Sequence, residues 1–331
     1  MEKKLKIGVL GTGHLGKIHL KCILASNKLE LVGFYDADKN RAELIANEWA
    51  VKAFDSIEAL IDACEAIDIV TPTVTHFELA KTAILRGRSV FIEKPLTHTV
   101  AEGEMLVTLK NEKNVTVQVG HVERFNPAFL SLDGAIGKIE PVFIEAHRLA
   151  TFNPRGTDVS VVLDLMIHDI DLVLHLVQSP VKAIHASGVA VVSASPDIAN
   201  ARIEFENGCV ANLTASRLSL KQMRKVRLFQ RDAYISLDFL EKNSQIIRLL
   251  DKNTADTEGG GGFELETAMG QKVIDIKMPE PKPVNAIQME LETFAASIFN
   301  NTPPPVTIED GLAALKVAHQ IIEAIGDTTL S

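Results

Sequence analysis

The chain has 331 residues, which at roughly 150 residues per domain is about two domains, each large enough to bury a core. Charged residues make up 23% and the hydrophobic set 46%, ordinary globular values that exclude a disordered tail or a small disulfide scaffold. A formal charge of −9 without a Lys/Arg run argues against a nucleic-acid partner, whose binding depends on neutralising phosphates.

The amino terminus runs directly into the strand-like Ile7-Gly8-Val9-Leu10, with no apolar leader and no stretch of about 18 apolar residues anywhere. No membrane contact is expected. Cys22, Cys64 and Cys209 stand apart in apolar surroundings and form neither a CxxC pair nor a framework, so they read as buried thiols of a reducing, cytoplasmic compartment.

Apolar or β-branched runs recur at residues 5–10, 30–35, 67–71, 88–92 and 115–119 with helix-length segments between most of them, and a weaker run at 51–54 brings the expected strands to six. That rhythm predicts a doubly wound Rossmann domain over residues 1–123, in which ligands gather at the carboxyl ends of the strands. After the first strand stands Gly11-Thr12-Gly13-His14-Leu15-Gly16, a G-x-G-x-x-G opening a helix. Its glycines permit a tight turn and close approach of backbone to a pyrophosphate, which the helix amino end attracts. Asp36, at the end of the second strand, is placed to accept hydrogen bonds from an adenosine ribose diol. A carboxylate there repels a 2′-phosphate, so NAD is expected ahead of NADP, although Lys39 and Arg41 lie just downstream. The later strand ends offer Thr71, Pro72 and His76, then Glu93 and Lys94, as further cofactor contacts.

These strand ends also carry Glu93-Lys94-Pro95 and Arg124-Phe125-Asn126-Pro127. With the glycine loop they make the chain resemble the Gfo/Idh/MocA oxidoreductase family over its whole length. The resemblance implies an NAD-binding domain followed, over 124–331, by an α+β domain with a large, mostly antiparallel open sheet used for substrate binding and oligomerisation. A homodimer or homotetramer is the implied assembly.

Residues 159–178 are apolar almost all round, the pattern of a buried helix, yet Asp164, His168, Asp171 and His175 recur at steps of four, three and four. Such a stripe of Asp and His on one face suggests a cleft wall. A histidine on an unplaced helix is more often a satisfied core residue; the family resemblance implies instead that Lys94, Asp164 and His168 form the catalytic group. No metal is expected, because no Cys or His pair at ligand spacing accompanies them.

From about residue 140 the runs lengthen and alternate, at 141–149, 181–192, 200–206, 209–217, 225–230, 233–239 and 245–250, with Glu206-Asn207-Gly208 reading as a hairpin turn. One apolar face of these strands, as in 201–205, is expected to stay uncovered for a second subunit. Residues 254–262, ending in four glycines, read as a surface loop, and two amphipathic helices at about 285–300 and 309–325 close the chain. Within the family, residues 120–129 with 158–171 resemble members that oxidise the 3-hydroxyl of UDP-N-acetylglucosamine. Arg124, Asn126, Arg148 and Arg155 are expected to face such a substrate, since arginine forks suit pyrophosphate oxygens. Dehydrogenation of a free monosaccharide or a polyol such as inositol is the alternative, and a non-catalytic NAD-binding regulator is a second one.

Overall fold

A computed structural model describes residues 3–153, 159–251, 263–267 and 270–326. They fall into two compact units, one made of Met1–Val122 with Asn285–Lys316, the other of Glu123–Val284 with Val317–Ser331. One boundary between the units falls at residues 122 and 123, and the second unit does not run unbroken to the carboxyl end. Residues 285–316 return to the first unit.

In the first unit, strands β1 (Leu5–Leu10), β2 (Leu29–Tyr35), β3 (Ala66–Ile69), β4 (Ser89–Glu93) and β5 (Val117–Gly120) form a parallel sheet in the order β2-β1-β3-β4-β5. Five strands replace the six expected, because residues 51–54 contribute only an isolated bridge between Ala53 and Phe34. Strands buried on both faces read as continuous apolar runs, and β3, β4 and β5 are buried almost throughout. Helices α1 (His14–Ala25), α2 (Lys39–Trp49), α3 (Ile57–Ala63), α4 (His76–Leu85) and α5 (Val100–Lys113) connect them. Leu291, Phe294 and Ala295 then join the core cluster of Ile7, Ile23, Phe34 and Phe91. That apolar face, three to four residues apart on a later helix, is why the closing segment belongs here.

The second unit begins with the short helix α6 (Pro127–Leu130) and strand β6 (Phe143–Leu149). The expected helix at 159–178 is a π-helical turn, Val162–Met166, continued by α7 (Ile167–Val177). Strands β7 (Val181–Val189), β8 (Ile198–Phe205), β9 (Val210–Ser216), β10 (Met223–Phe229), β11 (Ala233–Asp238), β12 (Asn243–Asp251), β13 (Phe263–Thr267) and β14 (Gly270–Lys277) complete a nine-stranded sheet, β13-β14-β12-β11-β10-β6-β9-β8-β7. Only the β6–β9 pair is parallel. β13 and β14 were not legible in the sequence, and the glycine-rich 254–262 lies outside the described residues. The hairpin between β8 and β9 turns at Gly208, where φ is +86°. Helices α8 (Ala286–Asn300) and α9 (Ile308–Ile325) close the chain.

Burial along these strands alternates, as one covered face requires. Ala201, Ile203 and Phe205 are on that covered side. The face expected to stay open for a second subunit is therefore the unit's own core. Its opposite carries Arg202 paired with Glu204, Arg227 with Glu145, Lys225 with Asp238, and an aromatic group of Phe143, Phe229 and Tyr234.

Candidate active site

The glycine loop is shaped by two contacts no side chain would permit. A Cβ at Gly16 would stand 2.1 Å from the Gly11 carbonyl oxygen, and one at Gly11, whose φ is +89°, would stand 2.6 Å from that of Val70. Gly13 differs: a Cβ there would meet nothing within 4 Å. It caps α1, so the open space lies where unsatisfied helix N–H groups attract an anion. Asp36, buried at the end of β2, accepts from the Thr12 amide (2.8 Å), the Thr12 hydroxyl (2.6 Å) and the Asp38 amide (2.9 Å). Burial raises its pKa, but these donors and Arg41 outweigh that and leave the carboxyl below its ordinary value. Arg41 is paired with both Asp36 and Asp38, at 3.2 and 3.1 Å, so this cation is engaged with carboxylates. An open pyrophosphate cradle with an ionised carboxylate at the ribose end fits NAD. His14 is exposed and Leu15 packs against the core cluster.

Thr71 and Pro72 follow β3, and the buried His76 ring lies 2.9 Å from the carbonyl oxygens of both Thr71 and Pro95. It thus ties the end of β3 to the turn after β4. That turn holds Lys94, half-buried, whose amide donates to Glu93 Oε2 at 3.1 Å. Behind it is a group the sequence reading passed over. His19 on α1, fully buried, has Nδ1 2.9 Å from Asp68 Oδ2 and Nε2 3.1 Å from Glu93 Oε1. Burial pulls the His19 pKa down, but Asp68 and Glu93 overcome it and raise it well above the usual value. Glu93, also pushed up by burial, is brought below its usual range by His19 and Lys94. Two signals pointed here: His19 follows Gly16 by three residues on the loop helix, and Asp68 interrupts an otherwise apolar buried strand.

In the second unit, Asp164 lies in the π turn and His168 opens α7, both half-buried. π turns often mark functional positions within helices. The rest of the stripe parts from them. Asp171 accepts two bonds from Arg124, at 2.8 and 2.6 Å, and His175 Nδ1 lies 3.2 Å from the same guanidinium. On another side of α7, Arg148 donates to Asp169 (2.8 Å) and Glu123 (2.8 Å), all three buried. Arg124 and Arg148, expected to face substrate, are thus bonded into the unit's interior. Asn126 is likewise engaged: its amide donates to Glu123 and the Phe239 carbonyl, and its oxygen accepts from the Ala128 amide. A chain that places arginines beside its own carboxylates can use them for assembly, and nothing in their spacing from Asp169 or Asp171 announced this. Arg155 lies outside the described residues.

Residues 5–121 match the family described as "Oxidoreductase family, NAD-binding Rossmann fold", and residues 130–234 match the GFO/IDH/MocA C-terminal domain. The chain is 35% identical to UDP-N-acetylglucosamine 3-dehydrogenase of Acidithiobacillus ferrooxidans, covering 95% of this chain and 94% of that protein. A solved structure of that enzyme superposes with a TM-score of 0.87 at 33% identity, covering 99% of both chains. The scyllo-inositol 2-dehydrogenase (NAD(+)) of Bacillus subtilis is 31% identical over 66% of this chain and 69% of its own. The chain belongs to the Gfo/Idh/MocA family of oxidoreductases, with its NAD-binding Rossmann fold.

Proposed function

We propose that this oxidoreductase is a dehydrogenase of nucleotide sugars that oxidises the 3-hydroxyl of UDP-N-acetylglucosamine, or of a close analogue, to the 3-keto product. The observation that carries this reading is 35% identity to the Acidithiobacillus enzyme across nearly the full length of both chains. Inositol dehydrogenases match at lower identity, 31% over 66% of this chain or 25% over 98% of it.

NAD, when bound, supplies the carbon that accepts the hydride. Residues Gly11, Thr12, Gly13, His14, Leu15 and Gly16 hold its pyrophosphate, Asp36 the adenosine ribose, and Thr71, Pro72, Glu93 and Lys94 the nicotinamide end, with His76 bracing Thr71 from behind. The substrate carbon loses a hydride only as its hydroxyl loses a proton, so a base must touch that oxygen. A ring nitrogen of His168 takes the proton. Lys94 is assigned to stabilise alkoxide character on the substrate, and Asp164, four residues before His168, to orient that histidine electrostatically. A non-catalytic regulator would have no use for this combination. Arg155 is assigned to the substrate pyrophosphate, whereas Arg124, Arg148 and Asn126 act on it only through α7.

We further infer a homodimer or homotetramer formed through the sheet face carrying Phe143, Phe229 and Tyr234, whose light scattering at micromolar concentration exceeds that of a monomer. A monomer there would reject it. Three free, buried thiols suit a reducing cytoplasm, and among the described residues no helix is long and apolar enough to cross a membrane.

The test is reduction of NAD by a panel of UDP-N-acetylglucosamine, scyllo-inositol, myo-inositol and free aldoses, followed by absorbance. Turnover of the nucleotide sugar is expected. Turnover of a polyol alone would overturn the substrate and leave the chemistry standing.

A further inference from the structure

We propose that His19 is a positioning residue for the reaction: bridging Asp68 and Glu93, it fixes the Glu93 carboxylate and, through it, the Lys94 backbone at the end of β4. The proposal rests on the role given to Lys94 above. Its geometry is a chain across three elements of the first unit. Asp68 Oδ2 on β3 lies 2.9 Å from His19 Nδ1 on α1, His19 Nε2 lies 3.1 Å from Glu93 Oε1 on β4, and Glu93 Oε2 accepts the Lys94 amide at 3.1 Å. Gly120 of β5 seats the carboxylate from the far side, since a Cβ there would stand 2.9 Å from Oε1.

Carboxylates only accept, so with a proton on each nitrogen the ring holds Asp68 by a hydrogen bond at Nδ1 and Glu93 by charge at 3.1 Å from Nε2. An imidazolium also meets the local charge. Besides Asp68 and Glu93, Glu290 on α8 brings a carboxylate oxygen within 4.8 Å of the His19 and Glu93 ligand atoms, and Cys22 on α1 adds a thiol. Glu93, held below its usual range, and Asp68, whose rise on burial His19 opposes, both favour a cationic ring, and the raised His19 pKa agrees with this. The helix that carries the pyrophosphate loop is thereby joined to the turn that carries Lys94.

The test is nitrogen NMR of protein labelled at histidine, with His19 identified by His19→Gln. Both ring nitrogens are expected to remain protonated at pH 8, above the ~6.5 of a free imidazole. A neutral tautomer at pH 7, or a divalent cation found stoichiometrically in the purified protein, would overturn the proposal. His19→Gln should slow single-turnover reduction about a hundredfold, the scale of a misplaced catalytic group, with NAD Kd and sugar KM within about threefold of the parent. An unchanged rate would contradict it. Should that variant fail to fold, Glu93→Gln is expected to lower the His19 pKa in the same spectrum, and an unshifted His19 counts against the bridge. The spectra need no substrate, so failure of the nucleotide-sugar reading leaves them decisive.

Discussion

The two units each bury a network of charge, and they are built from different groups. In the second, Arg148 lies between Glu123 and Asp169, and Arg124 grips Asp171. Guanidinium keeps its charge across the working pH range, so these pairs are permanent clamps on α7. In the first, the only cation between Asp68 and Glu93 is an imidazole, and its charge depends on a proton. The cation at the centre of the first unit's network can lose its charge as pH rises, and the guanidinium groups of the second cannot. One holds a helix; the other adjoins the lysine.

The largest way to break this contrast is Arg148→Ala. It takes the guanidinium from two buried carboxylates, Glu123 and Asp169, and breaking such a pair costs about 3–5 kcal/mol. Urea denaturation should show that loss nearly unchanged between pH 6 and 9. A loss below about 1 kcal/mol, the scale of exposed pairs, would mean the network is not buried in solution.

His19→Gln should cost less, about 1.5–3 kcal/mol at pH 6, as for hydrogen bonds to charged groups. Here the sign of the pH dependence is fixed by the raised pKa of His19. The folded state holds the proton more tightly than the unfolded chain, so the stabilisation is complete below about pH 6.5 and fades as pH climbs through the folded value. The parent's advantage over His19→Gln should therefore shrink toward pH 9. A constant or growing advantage would contradict the charged bridge.

The smallest stability effect sharpens the comparison inside the first unit. Gly13→Ala meets open space and an ordinary φ of −62°, so stability should stay within about 0.5 kcal/mol, while NAD titration shows at least about a tenfold loss of affinity, or 1.4 kcal/mol. Gly16→Ala, driven into the Gly11 carbonyl, should lose both. Equal NAD binding by parent and Gly13→Ala would remove the pyrophosphate from this cradle.

Legibility followed physical range. The loop and Asp36 were readable because glycine spacing and a strand-end carboxylate express local geometry. The parallel strands were readable as apolar runs, but 51–54 was overcounted because a short run does not reveal whether a neighbour pairs with it. The second sheet was visible through alternation up to 245–250 and then lost, since β13 and β14 carry weak patterns. The destination of α8 was hidden because an apolar helix face does not name the surface it will cover. Asp164, His168, Asp171 and His175 shared one stripe in sequence, yet Arg124 claims the last two, and only tertiary structure brings that arginine to them. His19 illustrates the opposite failure, a local signal one turn below the loop that went unread.

The central claim of the proposed function is that Lys94 and His168 are each required for hydride transfer while the glycine loop and Asp36 hold NAD independently. Single-turnover reduction of NAD by UDP-N-acetylglucosamine, run beside NAD titration for the parent, Lys94→Ala and His168→Ala, tests it most directly. The account predicts a fall of about a hundred- to ten-thousand-fold in the rate for each variant, the usual loss for a positioned acid or base, with NAD affinity as in the parent. Near-normal reduction by either variant, on a substrate the parent turns over, would contradict it.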